Sequence, residues 1–250
     1  MKIAISIVSH GQSRLVEPLL AQLRELSTRV DLDVIVTENL PGDPIHVASN
    51  SRFRVRKICN PEPKGFGANH NAAFALCETE WFVVMNPDLR LTETGLTALM
   101  TCLKERPGVA GPRVVTKEGR IEDSARRVPG VLRLASRWYR RRFEPEYNPS
   151  VALQGVDWLA GMCLAFDRRT FEEVGGFDDR FHLYCEDVDI CLRVHLLGGS
   201  VTWVQSSVVV HDAQRTSHRK WRYLLWHVSS LGKLLTSRPY WQYRLLPSTR

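Results

Sequence analysis

The chain has 250 residues, a formal net charge of +7, 44% hydrophobic and 24% charged residues. That fits one sizeable α/β domain or two small ones and excludes a disordered or fibrous chain. The basic balance suits a phosphate-bearing ligand, an anionic membrane face or nucleic acid without choosing among them.

Residues 3–9 are a short, β-branched apolar run ending in Ser9-His10-Gly11, so a first strand is expected there and not a signal peptide. Leu15, Leu19, Leu20, Leu23 and Leu26 then repeat at helical spacing. Residues 32–37 form a second strand that stops at Glu38-Asn39, residues 53–58 a third, and a helix is expected over 71–77. Residues 81–85 are a continuous apolar strand ended by Asn86-Pro87-Asp88. This alternation predicts a parallel sheet with helices on both faces. Ligands of such sheets bind beyond the carboxyl ends of the strands. Ser9-His10-Gly11, Glu38-Asn39 and Asn86-Pro87-Asp88 are therefore expected to converge on one crevice for a nucleotide-type ligand.

After a helix over 92–106 the pattern changes. Short strands are expected at 109–115 and 121–123, and 126–149 is basic, aromatic and irregular, with Arg126, Arg127, Arg133, Arg137, Arg140, Arg141 and Arg142. A strand over 159–166, a helix over 169–174, a Gly175-Gly176 turn, a helix over 186–197 and a strand over 201–210 follow, and His211 ends that strand. From Lys220 a terminal helix places Trp221, Leu224, Leu225, Val228, Leu231 and Leu235 on one face. Arg219, Lys220, Arg222, Lys233 and Arg238 flank that face, and Tyr240, Trp241 and Tyr243 follow it. This composition suits docking on an anionic membrane, or packing on the protein's own domain or a second subunit. No apolar run approaches the ~20 residues of a membrane span, so a soluble or peripheral, cytoplasmic protein is expected. The six cysteines, Cys59, Cys77, Cys102, Cys163, Cys185 and Cys191, show no CxxC pair and no zinc-ligand spacing, and read as reduced, buried thiols.

Four motifs could carry chemistry. A carboxylate just beyond a strand, as in Asn86-Pro87-Asp88, can hold a divalent cation that bridges nucleotide phosphates, although the same triplet is favoured in turns. Gly65-Phe66-Gly67-Ala68-Asn69-His70-Asn71 lets backbone N–H groups approach an anion or a base, or is a helix start capped by Asn69. Glu186-Asp187-Val188-Asp189 crowds acids into a first helical turn. That suits the macrodipole, and it also suits a general base, since adjacent carboxylates raise one another's pKa. Asp189 and Arg193 have i,i+4 spacing and read as a structural pair. His211 could complete a metal site or serve as a hydrogen-bonding group.

Taken in order, these motifs resemble the inverting family 2 glycosyltransferases, closest to rhamnosyltransferase-like members. The matching series is Ile5-Ser6-Ile7-Val8-Ser9-His10, Val34-Ile35-Val36-Thr37-Glu38-Asn39, Gly65 to Asn71, Val83-Val84-Met85-Asn86-Pro87-Asp88 and Trp158-Leu159-Ala160-Gly161-Met162. It closes with Gly175-Gly176-Phe177-Asp178-Asp179-Arg180-Phe181, Tyr184 to Asp189, and the strand into His211. The resemblance implies a GT-A fold, α/β with a mostly parallel central sheet flanked by helices. It divides the chain into a catalytic domain, 1–215, and a C-terminal amphipathic helical extension, 216–250. Ser9, His10, Glu38, Asn39, Gly65, Asn69, Asn86 and Gly161 would serve the nucleotide-sugar donor. Asp88 and His211 would hold Mg²⁺ or Mn²⁺. Asp187 would be the base that deprotonates an acceptor hydroxyl, with Glu186 in support. The implied reaction moves a sugar, L-rhamnose from dTDP-L-rhamnose or a sugar from a UDP or GDP donor, to a lipid-linked or lipopolysaccharide acceptor. The implied setting is bacterial surface polysaccharide synthesis, with a peripheral place on the inner face of the cytoplasmic membrane. A non-catalytic nucleotide-sugar-binding protein is the alternative. Aromatics are not interleaved with basic residues in a nucleic-acid motif, so nucleic acid is not an expected partner. Oligomeric state is left open.

Overall fold

The computed structural model describes residues 1–42, 45, 49–92, 94–128, 146–212 and 220–246. Strands β1 (Lys2–His10), β2 (Asp31–Leu40) and β4 (Trp81–Met85) are buried along almost their whole length, as strands covered on both faces must be. β3 (Phe53–Cys59) has exposed positions because it is the sheet's edge. These four strands run parallel, in the order β3-β2-β1-β4.

Strand parity separates the two faces of this sheet. Ile3, Ile5 and Ile7 meet Val16, Leu19, Leu20 and Leu23 of α1 (Ser13–Leu26) and Leu96, Leu99 and Leu103 of α3 (Gly95–Glu105). Ala4, Phe82 and Val84 join the opposite core, with Phe171 of α4 (Arg168–Glu173) and Val188, Ile190 and Leu192 of α5 (Glu186–Leu196). α2 (Phe66–Phe74) also lies on that side, where Phe74 rests on Phe82 and Phe171.

Beyond β4 the sheet becomes mixed. β10 (Cys163–Asp167) enters antiparallel to β4, then β6 (Gly108–Val115) and β11 (Ser200–His211) pair in parallel. β5 (Leu89–Leu91) and β8 (Leu153–Gly155) pair antiparallel with β11. A separate ribbon joins β7 (Ala125–Arg126) to β9 (Trp158–Leu159).

Several expected elements shift. The strand expected over 159–166 is divided into β9 and β10 by a turn at Ala160-Gly161-Met162. The helix expected over 71–77 begins earlier, at Phe66, because Gly67 lets it press on Phe177: a Cβ there would lie 2.6 Å from the Phe177 Cβ. Residues 121–123 are not a strand; Ile121 alone bridges to Val115. Of the cysteines, Cys59 is exposed at the edge strand, against the expectation of burial, and the other five are buried free thiols.

The C-terminal part is a pair of helices, α6 (Lys220–Thr236) and α7 (Arg238–Leu245), with Ser237 capping the second by accepting the Tyr240 N–H. Leu234, Tyr240 and Tyr243 enter the core shared by α5. Among the described residues no helix is long and apolar enough to cross a membrane. The expected domain boundary at 215/216 and the arginines 133, 137, 140, 141, 142 and 219 lie outside the described residues.

Candidate active site

The end of β4 and the end of β11 are stitched together by the Asp212 N–H donating to the Asp88 carbonyl at 2.8 Å, beside the Leu89–His211 register pair. This places Asp88 against His211, with Nε2 at 3.2 Å from Oδ2. On the far side of the ring, Nδ1 lies 2.9 Å from Oε2 of Glu122. The Asp88 hydrogen bond leads in raising the His211 pKa to about 9; Glu122 adds to it and burial opposes it. The ring is thus an imidazolium donating to two carboxylates. The other Asp88 oxygen, Oδ1, is buried with no partner.

The second cluster begins α5. Tyr184 and Cys185 precede it with φ of 71° and 67°, two consecutive non-glycine residues in the left-handed region. Each costs about 1–3 kcal/mol, and the pair sharply redirects the chain into the helix. Glu186 is thereby buried, with Oε2 unpartnered. Burial first, then the Asp187 charge, pushes its pKa up, so it holds a proton near neutrality.

Asp187 is treated differently. Its Oδ2 accepts the Gly161 N–H at 2.9 Å and its Oδ1 the Val188 N–H at 2.9 Å. Burial raises its pKa, while these N–H groups and the charge of Arg126 pull it back. Each oxygen keeps a lone pair for a further donor. Asp189 does what its spacing predicts: it is buried and takes Arg193 Nε at 2.7 Å.

One turn connects the two clusters. The Asn86 N–H donates to the Met162 carbonyl at 2.8 Å, and the neighbouring Gly161 N–H holds Asp187. Gly161 is therefore a hydrogen-bond donor to the Asp187 carboxylate in this structure. A Cβ at Gly161 would meet Phe66 and Asp187 only at ordinary contact distance.

The remaining expected residues form the wall at the ends of β1 and β2, where Ser9 and Glu38 are register partners. Ser9 Oγ accepts the Gln12 N–H at 3.1 Å. Glu38 pairs with Lys57 Nζ at 3.1 Å, which holds its carboxyl below the ordinary value. Asn39 accepts from Asn60 at 2.7 Å and from the Lys64 N–H at 2.8 Å, and its amide donates to the Lys64 carbonyl and to His10. His10 is pushed below its ordinary pKa, by burial first and then by the charge of His182. Asn69 is fully buried, accepts from Asn60 at 2.7 Å and donates to the Gly65 carbonyl at 2.9 Å. It does not cap α2; Gly65 is the N-cap. Nor is the Phe66 N–H left for an anion, because the His182 carbonyl accepts it at 2.9 Å. Gly65 is required by that crossing: a Cβ would lie 2.8 Å from the His182 oxygen.

Sequence reasoning missed Glu122, Asn60 and the link from Arg126 to Asp187. Glu122 lay in a stretch expected to be a short strand and Arg126 in a basic run, and neither context, nor the loop that holds Asn60, pointed to a partner. Charge near a candidate histidine could not be foreseen without the fold.

A divalent cation fits the first cluster. Asp88 Oδ1 is an unpartnered buried acceptor, and Glu122 orients His211 from its far side, the arrangement that fixes a ligating imidazole. Glu122 cannot share an ion with Asp88 across the ring. No set of three His, Cys, Asp or Glu side chains able to hold a metal occurs among the described residues. Diphosphate oxygens and water would complete the shell, as Mg²⁺ prefers. As an imidazolium His211 supplies positive charge at Asp88; to ligate a cation it would give up its Nε2 proton.

A model described as Glycosyl transferase family 2 matches residues 5–175. The chain is 30% identical over 241 residues to N-acetylglucosaminyl-diphospho-decaprenol L-rhamnosyltransferase of Mycobacterium tuberculosis, covering 85% of this chain and 76% of that protein. It is 23% identical over 260 residues to rhamnosyltransferase WbbL of Escherichia coli K12, covering 94% and 92%. It superposes with a TM-score of 0.66 and 16% identity on mannosyltransferase PcManGT of Pyrobaculum calidifontis, solved with GDP-Man and Mn²⁺, covering 97% of this chain and 68% of that one. That likeness shows the fold, the GT-A arrangement.

Proposed function

The chain belongs to glycosyl transferase family 2, and from that premise we propose that it transfers L-rhamnose from dTDP-L-rhamnose, with inversion, to a lipid-linked or lipopolysaccharide acceptor of bacterial surface polysaccharide. The place of work is the cytoplasm, at the inner face of the cytoplasmic membrane. The 30% identity with a rhamnosyltransferase named for a diphospho-decaprenol substrate supports the sugar and the acceptor class. The observation that carries the chemistry is the Gly161–Met162 turn, which ties the Asp88 strand end to the Asp187 carboxylate.

Asp187 takes the proton of the acceptor hydroxyl as its oxygen bonds to the anomeric carbon. The bond from that carbon to the donor phosphate oxygen breaks, and the nucleoside diphosphate leaves with the electron pair. One displacement from the opposite face inverts the centre and needs no enzyme nucleophile. Mg²⁺ or Mn²⁺ held by Asp88 and His211 would stabilise charge on the leaving diphosphate. Glu186, protonated, leaves Asp187 as the carboxylate able to accept a proton. Asn39, Asn60 and Asn69 keep the 60–65 turn in shape beside the nucleotide.

The test is a donor panel of dTDP-L-rhamnose, UDP-sugars and GDP-sugars with Mn²⁺ or Mg²⁺, read by thermal shift, released nucleoside diphosphate and sugar on a lipid-diphosphate acceptor. Stabilisation and turnover confined to dTDP-L-rhamnose are expected. Turnover with a UDP- or GDP-sugar alone would refute the donor assignment.

A further inference from the structure

The first half of the apolar stripe of α6 faces away from the protein, whereas Leu231 and Leu235 of the same expected stripe pack against the core. Trp221, Leu224, Leu225 and Val228 are 78%, 54%, 63% and 59% exposed. The opposite side of the helix makes the contacts. Trp226 rests on His182 with ring centroids 4.7 Å apart, and His227 on Tyr184 at 4.9 Å. Ser230 Oγ donates to the Leu183 carbonyl at 2.8 Å, Lys233 donates to the Arg180 carbonyl, and Leu234 is fully buried. On α7, Trp241 and Leu245 add 55% and 81% exposed apolar surface. A soluble helix ordinarily turns such a stripe inward; contiguous exposed apolar surface marks an interaction face.

The charge distribution identifies the occupant. Residues 213–250 carry eight Lys or Arg and no Asp or Glu, whereas residues 1–212 carry 26 basic and 27 acidic residues. The whole net positive charge of the chain therefore belongs to the segment that bears the stripe. A second copy of this chain would bring like charge against like. An anionic lipid surface is complementary both to the cations and to the Trp, Tyr and Leu side chains, which partition to the headgroup boundary.

We propose that the outer face of α6 is a docking surface for an anionic lipid bilayer. It deepens the proposed function, and only its purpose rests on that reading: the inner side of α6 holds residues 180–184, which lead directly into Glu186 and Asp187. Docking sets this entrance to the base at the bilayer, where a sugar carried on a lipid diphosphate is presented.

The experiment is vesicle flotation of the full chain with phosphatidylcholine alone and with phosphatidylcholine containing about one-third phosphatidylglycerol. Wild type is expected to bind the anionic vesicles at least about ten-fold more tightly, and to be released by high salt. A variant with Trp221→Ala, Leu225→Gln and Val228→Gln keeps the charge and alters only exposed side chains. It is expected to lose about ten-fold in anionic-vesicle binding with an unchanged melting temperature. Equal binding of wild type to both vesicle types, or salt-insensitive binding, overturns the proposal without any variant. So does variant binding equal to wild type, or self-association of wild type that the variant abolishes while neither floats with vesicles. None of these readouts uses a donor sugar, so failure of the donor assignment appears separately in the donor panel.

Discussion

Asp88 and Asp187 are carboxylates joined through one turn, and the protein treats them in opposite ways. Asp88 is set against a cation, with His211 at 3.2 Å and Glu122 behind the ring. Asp187 is buried beside a second carboxyl; burial raises its pKa, and the backbone N–H groups that hold it pull the pKa back. The first environment sets the carboxylate beside positive charge. The second favours a group that exchanges a proton. The same side chain would serve, in the proposed reaction, as ligand or as base according to what surrounds it.

The sharpest way to break this contrast is to exchange charge for shape at each end. Asp187→Asn keeps the side chain's shape, replaces one acceptor oxygen by an NH2 group and removes the proposed base; kcat should fall about a thousand-fold with donor affinity unchanged. Full turnover in this variant would remove Asp187 from the role. Asp88→Ala should show the reverse pattern, with Mn²⁺-dependent donor affinity weakened about a hundred-fold in calorimetry. A wild-type metal response would sink the ligand assignment.

A finer test asks whether Glu122 belongs to the Asp88 end. Glu122→Gln keeps an acceptor for the His211 ring but removes its charge, so Mn²⁺ affinity measured by electron paramagnetic resonance, without donor, should drop about ten-fold. No change would make Glu122 a mere neighbour.

The smallest effect is expected at Glu186, whose protonated form glutamine imitates. Glu186→Gln should stay within about three-fold of wild type at pH 7. Because the Asp187 pKa is raised and only its ionised form accepts a proton, wild-type kcat/KM should fall with decreasing pH above the ordinary carboxylate range. An acid limb at the unshifted Asp value would contradict the burial seen here.

How far the sequence could be read differs along the chain. The five apolar residues of β4 followed by Asn86-Pro87-Asp88 state both a buried strand and its polar end, and the structure has that strand at Trp81–Met85. The helix over 186–197 was legible from its first-turn acids and from the Asp189–Arg193 spacing. Gly161 was visible as a motif residue, but its N–H reaches Asp187 only because β9 and β10 leave a turn between them. Gly65 and Gly67 are clearances for His182 and Phe177, a role set by residues more than a hundred positions away that their ligand-facing motif did not show. The positive φ of Tyr184 and Cys185 has no residue-type signature, since neither is glycine or asparagine.

The terminal helix shows the same division. Spacing alone aligned Trp221, Leu224, Leu225 and Val228, because a 3.6-residue period is a local property of the chain. Whether that stripe faced the core was not local. It was decided by Trp226, His227 and Ser230 finding His182, Tyr184 and Leu183, which left these four residues outside while Leu231 and Leu235, expected on the same face, pack against the core. By itself the sequence determined the strand–helix alternation, the two acidic motifs and the charge of the tail, all written in neighbouring residues. Only the tertiary structure decided that Glu122 backs His211, that Gly161 holds Asp187, and which way α6 turns, because each depends on a contact between distant segments.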